Sequence, residues 1–144
     1  MPSTLVPTES QEQQALFRWA RLKEKTCPDL SLLVHVPNGG LRNMPEAVRF
    51  KAEGVRKGFP DLLLPVARGG YHSLAIELKR VKGGKVTPEQ KGWIDALNNQ
   101  GYRAVVCKGW EAAAQEILRY LGLEGRETNG TADKQSGVKR RKRQ

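Results

Sequence analysis

Apolar positions recur at helical spacing from just after Thr8, where Ala15, Leu16, Trp19 and Leu22 lie three and four residues apart. Thr8 followed by Gln11 has capping-box spacing, which predicts a helix over residues 9–24 ended by Cys27-Pro28-Asp29. Residues 30–36 (LSLLVHV) are apolar and partly β-branched and stop at Pro37-Asn38-Gly39-Gly40, so they predict a strand running into a tight loop. A short helix over 45–53 follows, with Ala47, Val48 and Ala52 as its apolar side and Gly54 and Gly58 marking its exit. Residues 59–66 and 73–80 predict two strands, and the Gly69-Gly70 pair between them makes a β-hairpin the natural connection. Lys82-Gly83-Gly84-Lys85 is a flexible basic link. Thr87-Pro88-Glu89-Gln90 then opens a helix whose inward face is Trp93, Ile94 and Leu97 and which Gly101 closes. A strand over 102–107 (YRAVVC) and a helix over 110–121, with Ala113, Ile117, Leu118 and Leu121 on one side, complete the order α, β, α, β, β, α, β, α.

A chain of 144 residues accommodates one domain of this pattern and leaves little room for a second. Polar residues concentrate at the ends. Residues 1–7 read as a flexible N-terminus, 8–123 as the folded domain, and 124–144 as a disordered basic tail finishing Lys139-Arg140-Arg141-Lys142-Arg143. The formal charge of +10 favours a polyanionic partner such as nucleic acid. Cys27 and Cys107 belong to no CxxC or Cys/His cluster, which argues against structural zinc and a disulfide scaffold. The first residues lack the pattern of a secretory signal and no apolar run is long enough to span a membrane, so the expected location is intracellular, in the cytoplasm, without a membrane partner.

Two apart in an apolar strand, Glu77 and Lys79 leave the same face of the sheet. Asp61 stands beside Leu62, Leu63 and Leu64 in the preceding strand, and hairpin pairing brings it near them. A register in which partner numbers sum to 138 sets Asp61 across from Glu77, a sum of 140 sets it across from Lys79, and a sum of 139 misses both. Two converging carboxylates suit Mg²⁺ or Mn²⁺, hard cations that leave positions open for water and a phosphate oxygen, while a neighbouring Lys can orient or deprotonate the attacking water. The plainer alternative, a surface salt bridge across a hairpin, is equally compatible with the spacing.

Pro60-Asp61 followed by Glu77-Leu78-Lys79 resembles the PD-(D/E)xK nuclease signature. A wider series, residues 9–19 (ESQEQQALFRW), Pro37-Asn38-Gly39-Gly40, 51–61 (KAEGVRKGFPD), 76–79 and 87–93 (TPEQKGW) before GYRAVVC, resembles the virus-type replication-repair nuclease (VRR-NUC) family in its small stand-alone form, found in phages and prophages. The resemblance spans about residues 8–121. It implies an α/β fold with a restriction-endonuclease-like core, a mixed central sheet flanked by helices, and metal-dependent hydrolysis of phosphodiester bonds in branched DNA, of Holliday-junction or flap type, by a homodimer. It further implies Asp61 and Glu77 as Mg²⁺ or Mn²⁺ ligands, the Leu78 carbonyl as a third, and Lys79 as the base that positions water. The family's helix carboxylate matches Glu9 best, because Gln13 lies four residues on; Glu12, one turn along the same side, competes, and a first-turn carboxylate also suits the helix dipole. Gln90 matches a family glutamine but equally fits a capping box, and Asn38 could reach a phosphate or simply serve a left-handed turn. Lys82 and Lys85 complete the expected DNA-binding set.

His35 and His72 are isolated and expected to ligate nothing, and Trp19, Trp93 and Trp110 read as packing residues. A non-catalytic DNA-binding module that retains the nuclease fold is the alternative, weakened by carboxylates placed where phosphate would sit. A sequence-specific restriction enzyme would need a base-reading insertion for which the chain has little room.

Overall fold

Four strands in the order β1-β2-β3-β4 carry four helices in a computed structural model that describes residues 5–37 and 44–124. Residues 1–4, residues 38–43 with Asn38, and the basic residues beyond Glu124 lie outside the described residues, so the expectations for them rest on sequence.

Helix α1 (Glu9–Lys23) starts at Thr8, whose side chain accepts from the Gln11 amide while the Gln11 side chain accepts from the Thr8 amide, the capping box that the spacing predicts. Its buried residues are Glu12, Leu16 and Ala20, a stripe with four-residue spacing. Leu22, one of the apolar positions at helical spacing, is 72% exposed, because a residue six positions after Leu16 points well off that stripe. Residues 28–36 also depart from expectation. Pro28–Leu32 forms a 3-10 turn, and only Val34–His35 pairs as a strand, β1. Pro28 favours a helical first turn, and bonds from the Leu30 amide to Cys27 and from the Leu33 amide to Leu30 let these two leucines, three apart, reach the core together.

Helix α2 (Met44–Ala52) forms where the sequence predicts it but buries none of its residues. Ala47, Val48 and Ala52 are therefore not core positions; Val48 is 63% exposed. Apolar spacing marked a face that the tertiary fold leaves uncovered among the described residues. Strand β2 (Leu62–Leu64) is shorter than the apolar run, because Pro60 and Pro65 bound it and cannot donate to a ladder. It pairs antiparallel with β3 (Leu74–Lys79) in the register Leu62↔Ile76, whose numbers sum to 138. One step further along that register stands Asp61 opposite Glu77. Strand β4 (Arg103–Lys108) lies parallel to β3, reached through α3 (Pro88–Asn99), and α4 (Trp110–Tyr120) follows.

Period-two alternation divides β3 between two cores. Leu74, Ile76 and Leu78 face the larger one with Leu16, Ala20, Leu62, Leu64 and Ile117, between the sheet and the α1/α4 layer. Ala75 faces the smaller one with Leu97 and Ala104, onto which Phe59, Trp93 and Ile94 pack under α3. Glu77 and Lys79 continue the Ala75 row toward the end of the strand, where α3 begins. All six residues of β3 are buried, so their two charges are enclosed by protein and not spread over a solvated hairpin.

Candidate active site

Asp61 is fixed from both sides. Its Oδ2 accepts from the Leu78 amide at 2.8 Å, and its carbonyl accepts from the Val36 amide at 2.8 Å and from Nδ1 of His35 at 2.9 Å. The half-buried carboxylate thus hangs at the mouth of the β2–β3 pair and cannot turn away from Glu77 without breaking a backbone bond.

Glu77 is only 2% exposed. Its Oε2 accepts from Nε2 of Gln90 at 2.9 Å and lies 3.6 Å from Nζ of Lys79, whereas Oε1 is buried without a hydrogen-bond partner. Burial first, and then the adjacent Asp61 carboxylate, push the Glu77 carboxyl up to about 8, against the opposing pull of Lys79. This differs from a surface salt bridge, whose groups keep their water.

Lys79 is buried as well. Its ammonium sits 3.6 Å from Glu77 and 4.0 Å from Oε2 of Glu9, bridging the sheet to the first turn of α1. Behind it the chain folds back so closely at Gly84 that a Cβ there would lie 3.2 Å from Cβ of Lys79. The two helix carboxylates that spacing could not separate have different surroundings. The Glu9 side chain is 45% exposed and faces Lys79, while Glu12 is 4% exposed and its Oε1 accepts from the Trp110 amide at 2.9 Å. Glu12 thereby caps α4, whose own N-cap residue, Gly109, has no side chain to do so.

Gln90 does both things the sequence allowed. Its Oε1 accepts from the Thr87 amide at 2.9 Å, closing the capping box, and this fixes the amide so that Nε2 points at Glu77. Lys82 and Lys85 lie exposed in the turn after β3. The structure therefore brings Asp61, Glu77, Leu78, Lys79, Gln90 and Glu9 together; Lys82 and Lys85 lie on the adjoining surface, and Asn38 is outside the described residues. Among those residues no set of three or more His, Cys, Asp or Glu side chains converges as a metal cage; the acidic centre is the Asp61–Glu77 pair.

Two supporting residues escaped the sequence reading. Arg80 donates from Nη2 to the Val6 carbonyl at 3.2 Å, tying the segment before α1 to the end of β3, and the only sequence hint was its place beside Lys79. Gly58 has φ +92°, and a Cβ on it would fall 2.7 Å from the backbone of Glu89, so the loop before Asp61 and the start of α3 touch backbone to backbone. Trp93 seals that contact by donating from Nε1 to the Lys57 carbonyl at 3.1 Å. Gly58 was visible as a helix exit but not as a contact, because its partner, Glu89, lies on a helix distant in sequence.

Comparison with known proteins bears on this geometry. The VRR-NUC domain matches residues 5–111. A solved structure described as a VRR_NUC domain protein is 35% identical, covers 84% of this chain and 93% of its own, and superposes with a TM-score of 0.72. No protein of curated function matches the chain. With its sheet order, its buried Asp61–Glu77–Lys79 cluster and a domain match over most of its length, the chain belongs to the VRR-NUC family and is a nuclease-type, DNA-processing module.

Proposed function

We propose that this nuclease domain is a divalent-metal-dependent endodeoxyribonuclease that hydrolyses phosphodiester bonds in branched DNA and works as a homodimer. One observation supports the catalytic part above others: Glu77 is held beside Asp61 although burial and like charge both oppose it, with Oε1 left without a partner. A fold gains no stability from that arrangement, and a cation between the two carboxylates would relieve it. The donors fit Mg²⁺ or Mn²⁺, being hard oxygens. Asp61 and Glu77 would hold the ion, with the Leu78 carbonyl and Glu9 as further oxygens. When bound, the ion supplies Lewis acidity at the phosphoryl group.

The chain's own residues do the rest. The Leu78 amide and the Gln90 amide hold Asp61 and Glu77 at fixed angles, so the pair needs no rearrangement when substrate arrives. Lys79, enclosed beside the pair, orients a water toward phosphorus and offsets the charge that builds on the phosphoryl oxygens. The water oxygen bonds to phosphorus and sheds one proton to solvent, the ester P–O bond breaks with its electron pair on the departing oxygen, and that oxygen takes one proton from solvent, so protons balance. Lys82, Lys85 and Asn38 would contact the DNA backbone.

The test is a panel of linear, flap and four-way-junction DNAs incubated with Mg²⁺, Mn²⁺ or EDTA. Cleavage of branched DNA is expected only with a divalent ion, and Asp61→Asn, Glu77→Gln or Lys79→Ala is expected to lower the rate at least ~10²-fold while DNA binding survives. Cutting in EDTA, or undiminished cutting by Glu77→Gln, would refute the catalytic assignment and leave a DNA-binding module; equal cutting of linear DNA would refute the branched substrate.

A further inference from the structure

A cleft of about 610 Å³ is lined by α1 and by the edge strand β1 with Leu33 before it, and no carboxylate lines it. Arg18 and Arg21, about one turn apart on α1, form one wall; both are exposed, and among the described residues no hydrogen bond or ion pair engages either. The floor is apolar, from Phe17 and the exposed side of Val34, and Gln13 contributes an amide. The lining includes His35, whose Nδ1 donates to the main-chain carbonyl of Asp61, so one residue links the cleft to the backbone that carries the Asp61 carboxylate.

We propose that this cleft binds an unpaired stretch of DNA strand and delivers it to Asp61 and Glu77; the inference rests on the nuclease reading above. Two uncompensated guanidinium groups on one wall suit consecutive phosphates. The Phe17 ring and the His35 imidazole offer flat faces on which bases stack, the combination that single-strand binders use, and the Gln13 amide can meet a base edge. A paired helix keeps its bases stacked inside and would offer this apolar floor nothing but phosphate. The cleft volume is that of a small-molecule pocket, enough for splayed nucleotides but not for a duplex.

The experiment compares the full-length chain with its Arg18→Gln/Arg21→Gln double variant, by fluorescence anisotropy in EDTA, on an oligothymidylate and on a blunt duplex of equal length. Both side chains are exposed, so the variant leaves the core intact. Loss of two single-strand phosphate contacts is expected to flatten log K against log salt by about 1.4 and to weaken oligothymidylate binding on the order of tenfold at moderate salt. Duplex binding is expected to change less than about twofold, since the tail and the lysine surface remain. Equal losses on both DNAs would reduce the cleft to a general phosphate contact and overturn the proposal, as would unchanged oligothymidylate binding. Because no cleavage is measured, a failure of the nuclease reading appears separately, as absence of cutting by the unmodified protein with divalent ions.

Discussion

Glu77 keeps its proton up to about 8 because burial and Asp61 both disfavour the anion. In the unfolded chain the same carboxyl releases its proton near about 4.3. Between these values the folded state binds more protons than the unfolded one, so the contribution is fully present below the unfolded value and is lost as pH rises toward 8. In EDTA the urea midpoint of the protein should therefore fall from pH 5 to pH 8 relative to that of Glu77→Gln, which has no carboxyl to titrate; parallel profiles would contradict the buried pair. A divalent ion competes with that proton, so its apparent affinity should rise over the same window. The helix carboxylates separate by a different measurement. Glu12→Ala should lower stability by about 1–2 kcal/mol, because it uncaps α4 and leaves the Trp110 amide unpaired in a partly buried place, seen as a lower urea midpoint. Glu9→Gln should leave that midpoint in place and slow cleavage, since Glu9 faces Lys79 from the surface.

Among elements, α3 has the closest fit to the site, because its first turn carries Gln90 and rests on Gly58. Gly58→Ala should be destabilising by about 1–3 kcal/mol, and the displaced start of α3 should slow cleavage by moving Gln90 off Glu77. Gly54→Ala is the internal comparison. Gly54 also has a left-handed φ, +100°, but a Cβ there meets nothing within 4 Å, so backbone strain is imposed without displacing α3 and the cleavage rate should stay at its parental value. Urea denaturation and single-turnover cleavage of both variants decide the matter. The far edge of the sheet has its own device: Asn98 on α3 donates to the Ala104 carbonyl and accepts from its amide, so a side-chain amide occupies part of β4's free edge where another strand could otherwise pair.

Across the whole molecule the charge of +10 is unevenly placed, with six basic residues between Lys134 and Arg143. If two or three of them contact duplex DNA on average, removing residues 128–144 should flatten the dependence of log K on log salt by about 2 to 3 units. Affinity should fall alike for linear and branched DNA, because a polycationic segment reads phosphate density and not geometry. The rate at saturating DNA should stay unchanged, as the residues of the site all precede β4. Titration of both forms over a salt series checks this; an unchanged slope would assign the tail to another partner.

Local chemistry alone determined much of this. The capping boxes at Thr8 and Thr87, the order of elements and the shared face of Glu77 and Lys79 depend on neighbours a few residues apart, and all are present in the fold. Other properties depend on partners distant in sequence, which spacing cannot see. The register that sets Asp61 against Glu77 was one of three open to the hairpin; the packing of β3 between two cores excludes the odd sum, and the fold adopts 138 of the two even ones. Glu12 and Glu9 share a helical side, and only the arrival of α4, about a hundred residues later, makes one a buried cap and leaves the other facing Lys79. Leu22 and Val48 have the spacing of core residues, but burial is decided by what packs against a face, and in this fold those faces stay open to water.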